Sequence, residues 1–366
     1  MRKFRFTIAA ATLFAAFTAP LFGGTDLPTY VPVGVDAIVH INGEKIFATK
    51  AFQAFRKTAE YESIVKDAAK DGVDFDRAIG TGQCCIFVNA NSLMGKEGEA
   101  EAVTILYRST GINVGAVFES LKAEQKKSCD QELEYIRKHN ARKDFYVIPK
   151  FSAHDVEGRP AFVNVDEDGC MSAILTDGNT MQVSLCDTAG GLILNPLKQG
   201  AATKLTAAVD TDALVSAAWQ VDIPKSFIDK QGDEPEAKIF AGIVGGLEIV
   251  TLSVYESGES LEAKLVGVYA GEEQARNAYD NLVALRQIAI TVLSGSDRHE
   301  DKTALALIKE LNFARDGKKV IVSAKYPQDE LVKIIETNDK EERERLRKHE
   351  ELKKEEELKK REASAR

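Results

Sequence analysis

The sequence predicts an α+β protein of two tandem repeats with mainly antiparallel sheets, closed by a charged C-terminal helix. Three observations carry this: strand and helix patterns recur in the same order in both halves, two Asp-Gly hairpins nearly repeat, and almost every residue from Lys340 to Glu362 is charged.

The first element is a leader. Arg2, Lys3 and Arg5 precede Phe6 to Phe17, an apolar run relieved only by Thr7 and Thr12, with Ala19, Gly23 and Gly24 as small residues beyond it. That pattern reads as a cleavable secretory signal over residues 1–24. A spanning helix needs roughly 20 apolar residues, whereas this run is shorter and ends at Pro20, and no later segment is apolar enough to span. The first cysteine is Cys84, too distant for a lipoprotein signal. The expected address is the periplasm or the extracellular space. Without the leader, 45 basic residues face 57 acidic ones, a net charge of −12 that disfavours nucleic-acid binding.

The remaining chain exceeds what one hydrophobic core usually serves. It is divided into a first repeat over 25–200, a second over 201–337 and a tail over 338–366. Ile38 to Phe47 reads as a strand entering a helix, and Thr206 to Val215 repeats its pattern, matching Ile41 to Val209, Asn42 to Asp210 and Ile46 to Leu214. Val103 to Tyr107 enters a helix with Phe118 and Leu121, as Leu265 to Tyr269 enters one with Tyr279 and Leu282. Asp177 to Ser184 and Asp316 to Ser323 each place Asp-Gly before an alternating run, a hairpin signal. The offset between copies falls from 168 at Ile41/Val209 to 139 at Asp177/Asp316, so the first copy is longer by 29 residues, assigned mostly to Lys122–Lys143. Each copy reads β-α-β-β-α-β with added hairpins, a split βαβ or ferredoxin-like order. Ala275, Ala278, Tyr279, Leu282, Leu285, Ala289 and Val292 recur at helical spacing and are expected to be core.

Val31 to Ala37 ("Val-Pro-x-x-x-Asp-Ala"), the two Asp-Gly hairpins, and Tyr326-Pro327 before the helix Asp329 to Ile335 resemble a loose group of exported two-repeat proteins from planctomycete-like and lentisphaera-like bacteria. The resemblance spans Tyr30 to about Glu336 and implies no activity and no functional residues.

Five cysteines in an exported chain favour structural disulfides plus a remainder. A three-residue loop at Asp177-Gly178-Asn179 opposes residues whose numbers sum to 356, so Cys170 faces Cys186. The same register puts Met171, Ala173 and Leu175 opposite Leu185, Val183 and Met181 on one apolar face, and Ser172 with Ser184 and Thr176 with Thr180 on the other. Such opposition suits a disulfide. The expected bridge is Cys170–Cys186, with two buried thiols as the alternative. Cys84 and Cys85 open a strand and point to opposite faces; one is expected to bridge to Cys129 and the other to remain a core thiol.

Asn164, Asp166 and Asp168 imitate the first half of a calcium loop, but the closing bidentate position is Leu175 and strands flank the segment, so a hairpin turn is favoured. The histidines His40, His139, His154, His299 and His349 have no zinc spacing and are read as solvated or singly satisfied. No nucleophile elbow, phosphate loop, dinucleotide turn or zinc-protease helix occurs, and no cofactor is implied. In the tail, Glu341/Arg345, Glu344/Lys348 and Glu350/Lys354 are among the acid-first pairs four residues apart, which stabilise a solvated helix. Leu346, Leu352 and Leu358 make no coiled-coil seam.

Two functions remain open. The first is a non-enzymatic binding or structural protein of the envelope or extracellular space, with an unknown protein or envelope partner. The second is an exported enzyme with a site between the repeats, one version of it thiol-based through Cys84 or Cys85.

Overall fold

The computed structural model describes residues 35–70, 73–88, 103–138, 149–166, 169–186, 204–221, 235–295 and 299–364. The leader at 1–24 lies outside the described residues. The chain is a mixed α+β fold with duplicated antiparallel sheet segments and a charged C-terminal helix.

The first copy begins with β1 (Ala37–Asn42), then four short helices: α1 (Gly43–Ala48), α2 (Lys50–Phe55), α3 (Ala59–Lys70) and α4 (Phe75–Thr81). Their starts are written in the sequence as side-chain caps. Asn42 accepts the Lys45 N–H at 3.2 Å, Thr49 that of Phe52 at 3.2 Å, Thr58 that of Tyr61 at 3.2 Å and Asp74 that of Arg77 at 3.1 Å. Phe47, Phe52, Phe55, Tyr61 and Phe75 form the aromatic core of this helical layer. Asp76 accepts from the Tyr61 hydroxyl and from Arg56 at 2.6 Å, which orders its outer side.

Strands β2 (Gly82–Val88) and β3 (Val103–Ser109), helix α5 (Val114–Lys138) and strands β4 (Lys150–Val156), β5 (Arg159–Asp166), β6 (Gly169–Asp177) and β7 (Thr180–Cys186) complete the first copy. The second follows as α6 (Lys204–Ala208), β8 (Val215–Gln220), α7 (Pro235–Val244), β9 (Leu247–Ser257), β10 (Ser260–Tyr269), α8 (Glu272–Ser294), α9 (His299–Glu310), β11 (Asn312–Asp316) and β12 (Lys319–Pro327), and α10 (Gln328–Ser364) ends the chain.

The twelve described strands join one sheet in the order β11-β12-β10-β9-β8-β1-β2-β3-β7-β6-β5-β4, and every neighbouring pair is antiparallel. Reading outward from the β1/β8 seam, β8, β9, β10, β12 and β11 mirror β1, β2, β3, β7 and β6. At the seam, Ala37 faces Trp219, Val39 faces Ala217 and Ile41 faces Val215. Equivalent strands paired in this way relate the copies by a pseudo-two-fold through the Val39/Ala217 pair.

Two sequence alignments shift as a result. The counterpart of β1 is β8, so Val209 and Asp210 precede the repeated strand, and Thr206 to Ala208 form a helix. That Ala-rich stretch shares the strand's small apolar residues but folds as α6 against β1 and β8, where Leu205 and Val209 pack on Ile38, Cys85, Phe87 and Ala218. The element that the first copy adds is the β4–β5 hairpin; Lys122 to Lys138 is part of α5.

Helix α10 belongs to both copies. Its first residue, Gln328, is buried, donates to Glu256 at 2.7 Å and accepts the Ala51 N–H at 3.4 Å. Lys50 pairs with Glu259 and, at 3.6 Å, with Asp329. Asp339 accepts the Ala59 N–H at 2.7 Å, and Arg343 reaches Asp339, Lys57 O and Glu62 at 2.8, 3.0 and 3.1 Å. The helix is therefore tied to the first copy beyond residue 338.

Candidate functional site

Backbone register assembles a row of side chains on one face of the sheet. From edge to edge it runs Phe313, Val322, Leu265, Leu252, Ala217, Val39, Ile86, Ile105, Val183, Ala173, Phe162 and Ala153. With strands about 4.8 Å apart, this apolar row is roughly 50 Å long.

The two halves of the row are covered unequally. On the first copy, α5 lays Val114 and Phe118 on Phe162, Ala173 and Met181, and α4 packs against β2. Ile105 is 7% exposed. Its counterpart across the pseudo-two-fold, Leu265, is 41% exposed, with Leu252 at 38% and Trp219 at 47% beside it. The connections between the first two strands also differ: four helices separate β1 from β2, with α1 and α4 touching β2, whereas α7 is the one described helix between β8 and β9.

Helix α8 covers the far end of this face incompletely. Ala275 and Ala278 are fully buried on Tyr269 and Val320, with Tyr279 and Leu282 alongside, as the periodicity predicts. Leu285 and Val292, expected in the same core, are exposed instead, Val292 by 67%. Helix α7 is ten residues long and meets the first half of α8, where Gly242 sits against Asn281. Farther along α8, where α9 packs through Arg286, Leu285, Ile288 and Val292 stay exposed.

On the opposite face, the seam holds a polar cluster. His40 pairs in register with Cys85 and Ser216 and is 3% exposed, and its Nδ1 has no hydrogen-bond partner. Burial, reinforced by Lys45 and opposed by Asp210, lowers its pKa to about 4. Ser216 Oγ accepts the Asp210 N–H at 2.9 Å and lies 3.3 Å from Ser253 Oγ, while the Tyr255 hydroxyl donates to Asp210 at 2.5 Å. His40 is thus a neutral interior group, not the solvated or satisfied histidine expected. Its place opposite apolar residues in the alternation Ile38-Val-His-Ile-Asn42 was the available signal.

The hairpin register is as predicted from Cys170↔Cys186 through Leu175↔Met181. The turn closes differently: Asp177 pairs with Thr180, and the ladder shifts at Thr176, whose buried hydroxyl has no partner. The Cys170 and Cys186 side chains lie outside the described residues. Cys84 and Cys85 are free thiols, so neither half of the vicinal pair bridges to Cys129, and all three are buried. Adjacent strand residues point to opposite faces, and each of these two is buried on its own side of the sheet. Burial raises the Cys84 thiol and pushes Cys85 up to about 12.

Asn164 is buried and donates to Gln125 on α5 at 2.9 Å. Asp166 ends β5 opposite Gly169, in the hairpin arrangement favoured from sequence; its side chain and Asp168 lie outside the described residues. Among the described residues, no three His, Cys, Asp or Glu side chains are grouped to hold a metal. No described helix is long and apolar enough to cross a membrane.

No family model matches the chain, and no curated protein does. Among solved structures it has a distant likeness to TP0453 in crystal forms III, IV and I, at 10%, 11% and 8% sequence identity and TM-scores of 0.38, 0.40 and 0.36. The matches cover 86%, 85% and 86% of this chain and 99%, 97% and 98% of TP0453. None of the three is identified with the group that the sequence resembles, and nothing of TP0453 is carried over to this chain.

Proposed function

We propose that this chain is an exported, non-enzymatic binding protein, and that the open apolar face around Trp219, Leu252 and Leu265 is the surface it binds with. The observation that carries this is the contrast between Leu265 and Ile105, which hold equivalent places in a duplicated sheet and differ in exposure from 41% to 7%. A contiguous apolar surface left open in a water-soluble fold marks an interaction site more often than a packing defect. Export rests on the leader read from sequence. Thiol chemistry is the weaker reading, because a reactive cysteine needs an accessible thiolate, and burial keeps Cys84 and Cys85 protonated.

The test is affinity capture from native envelope and medium with the intact chain and with a Leu252→Gln/Leu265→Gln variant. A species retained by the intact chain and lost from the variant supports the reading. Equal recovery on both, or a cysteine-dependent turnover, contradicts it.

A further inference from the structure

Resting on that reading of the open face, we propose that its occupant is an amphipathic helix with basic ends, contributed by a partner protein. Three features of the surface select this chemistry.

The first is hydrogen bonding. Strands β8, β9 and β10 are paired on both sides, so their backbone groups are taken up within the sheet. Between Glu248 and Glu256 the side chains that β9 turns to this face are apolar: Val250, Leu252 and Val254. An extended peptide laid on it would bury unpaired N–H and C=O groups, each costly to desolvate. A helix satisfies its backbone internally and presents side chains alone.

The second is the internal duplication, which displays what this surface accepts. On the first copy the same face carries helices, α4 against β2 and α5 against β4 to β7. The pseudo-two-fold brings the face of β8 to β10 to the same side of the sheet. Its apolar side chains match those at the equivalent places of the first copy: Leu252 for Ile86, Leu265 for Ile105 and Val322 for Val183, the last of which packs against the core that α5 forms with β5 to β7.

The third is charge. Along β9, Glu248, Val250, Leu252, Val254 and Glu256 alternate onto this face, so a carboxylate closes each end of the apolar strip, that of Glu256 already accepting one hydrogen bond from Gln328. Eight residues of strand span about 27 Å, the length of about 18 helical residues. With the whole chain at a net charge of −9, the complement is a helix of that length with Lys or Arg near both ends and Leu- or Ile-type residues facing the sheet.

Trp219 is the chain's one tryptophan and stands within the face, so its fluorescence reports occupancy. The full chain is titrated with three probes: an 18-residue Leu/Lys peptide of helical periodicity with lysines at both ends, the same composition scrambled, and oleate. The expected result is a saturable blue shift with the periodic peptide at one per chain, at least tenfold weaker with the scrambled one. Binding weakens at least tenfold in Leu252→Gln/Leu265→Gln and severalfold in Glu248→Gln, with circular dichroism of both variants unchanged. Equal response to the scrambled peptide overturns the proposal. A shift with oleate and none with the periodic peptide also overturns it, leaving the face as a binding surface for hydrocarbon chains. No shift with any probe removes both this proposal and the open-face reading beneath it.

Discussion

Leu265 on β10 and Ile105 on β3 stand at equivalent points of one antiparallel sheet, related by the pseudo-two-fold at the Val39/Ala217 pair, yet only Ile105 is enclosed. The duplication has kept the backbone and discarded part of the cover. The enclosed and the open parts of one sheet are thereby separated between the two copies.

That separation is measurable by paired truncations. Ile105→Ala should cost about 2–4 kcal/mol, as buried large-to-small changes do, while Leu265→Ala should cost under about 1 kcal/mol because much of its surface is already in water. Urea unfolding of both variants checks this. Equal losses would mean that the second face is covered in solution.

The C-terminal helix has a docked part and a part beyond it. Burial pushes the Asp339 carboxyl up, but the Ala59 N–H and the Arg343 guanidinium outweigh burial and hold it below the usual carboxylate range. Asp339 serves as a cap on α3 supplied from a distant part of the chain, and Asp339→Ala should cost about 1 kcal/mol, like the loss of other caps. A chain ending at Thr337 should lose thermal stability, whereas one ending at Arg347 should melt like the full chain. A chain ending at Thr337 with an unchanged melting temperature would show that the contacts at Asp339 and Arg343 hold nothing.

Acid should weaken the seam through His40. Its folded pKa, about 4, lies below the ordinary value of 6.5, so the unfolded chain binds the extra proton first. Stability from this group is complete above about pH 6.5 and declines as the pH falls toward 4, by about 3 kcal/mol in all. Carboxylates titrate in the same region, so the measurement is the difference in unfolding free energy between the native chain and His40→Gln across pH 7 to 4. The native chain should lose more; parallel curves would place His40 in contact with water.

The cysteines should separate into two classes. Cys84 and Cys85 are free and buried, so iodoacetamide should leave them unmodified until denaturant is added. Cys170 and Cys186, opposite one another in register, should appear as one linked peptide pair in a non-reduced digest of the exported protein. Alkylation of either on the native chain would replace the bridge with two thiols.

Much of this fold is legible in local sequence. The hairpin register follows from alternation around Asp177-Gly178, and the Asn42, Thr49 and Asp74 caps are short-range signals. The repeated order follows from strand and helix periods. The merger of both copies at β1 and β8 was not legible, because register between distant strands leaves no local trace. The open face was hidden for a related reason. Leu285 and Val292 carry the same periodicity whether or not another layer covers them, and the sequence does not state that α7 stops after ten residues. His40 sat in plain alternation with Ile38 and Asn42, but its missing partner is a property of the packed seam.

Whether the face around Trp219 stands open in the free protein is read most directly by acrylamide quenching of that single tryptophan in the purified chain without any ligand. An open face gives red-shifted emission that acrylamide quenches readily; blue-shifted emission that resists quenching would contradict an open face.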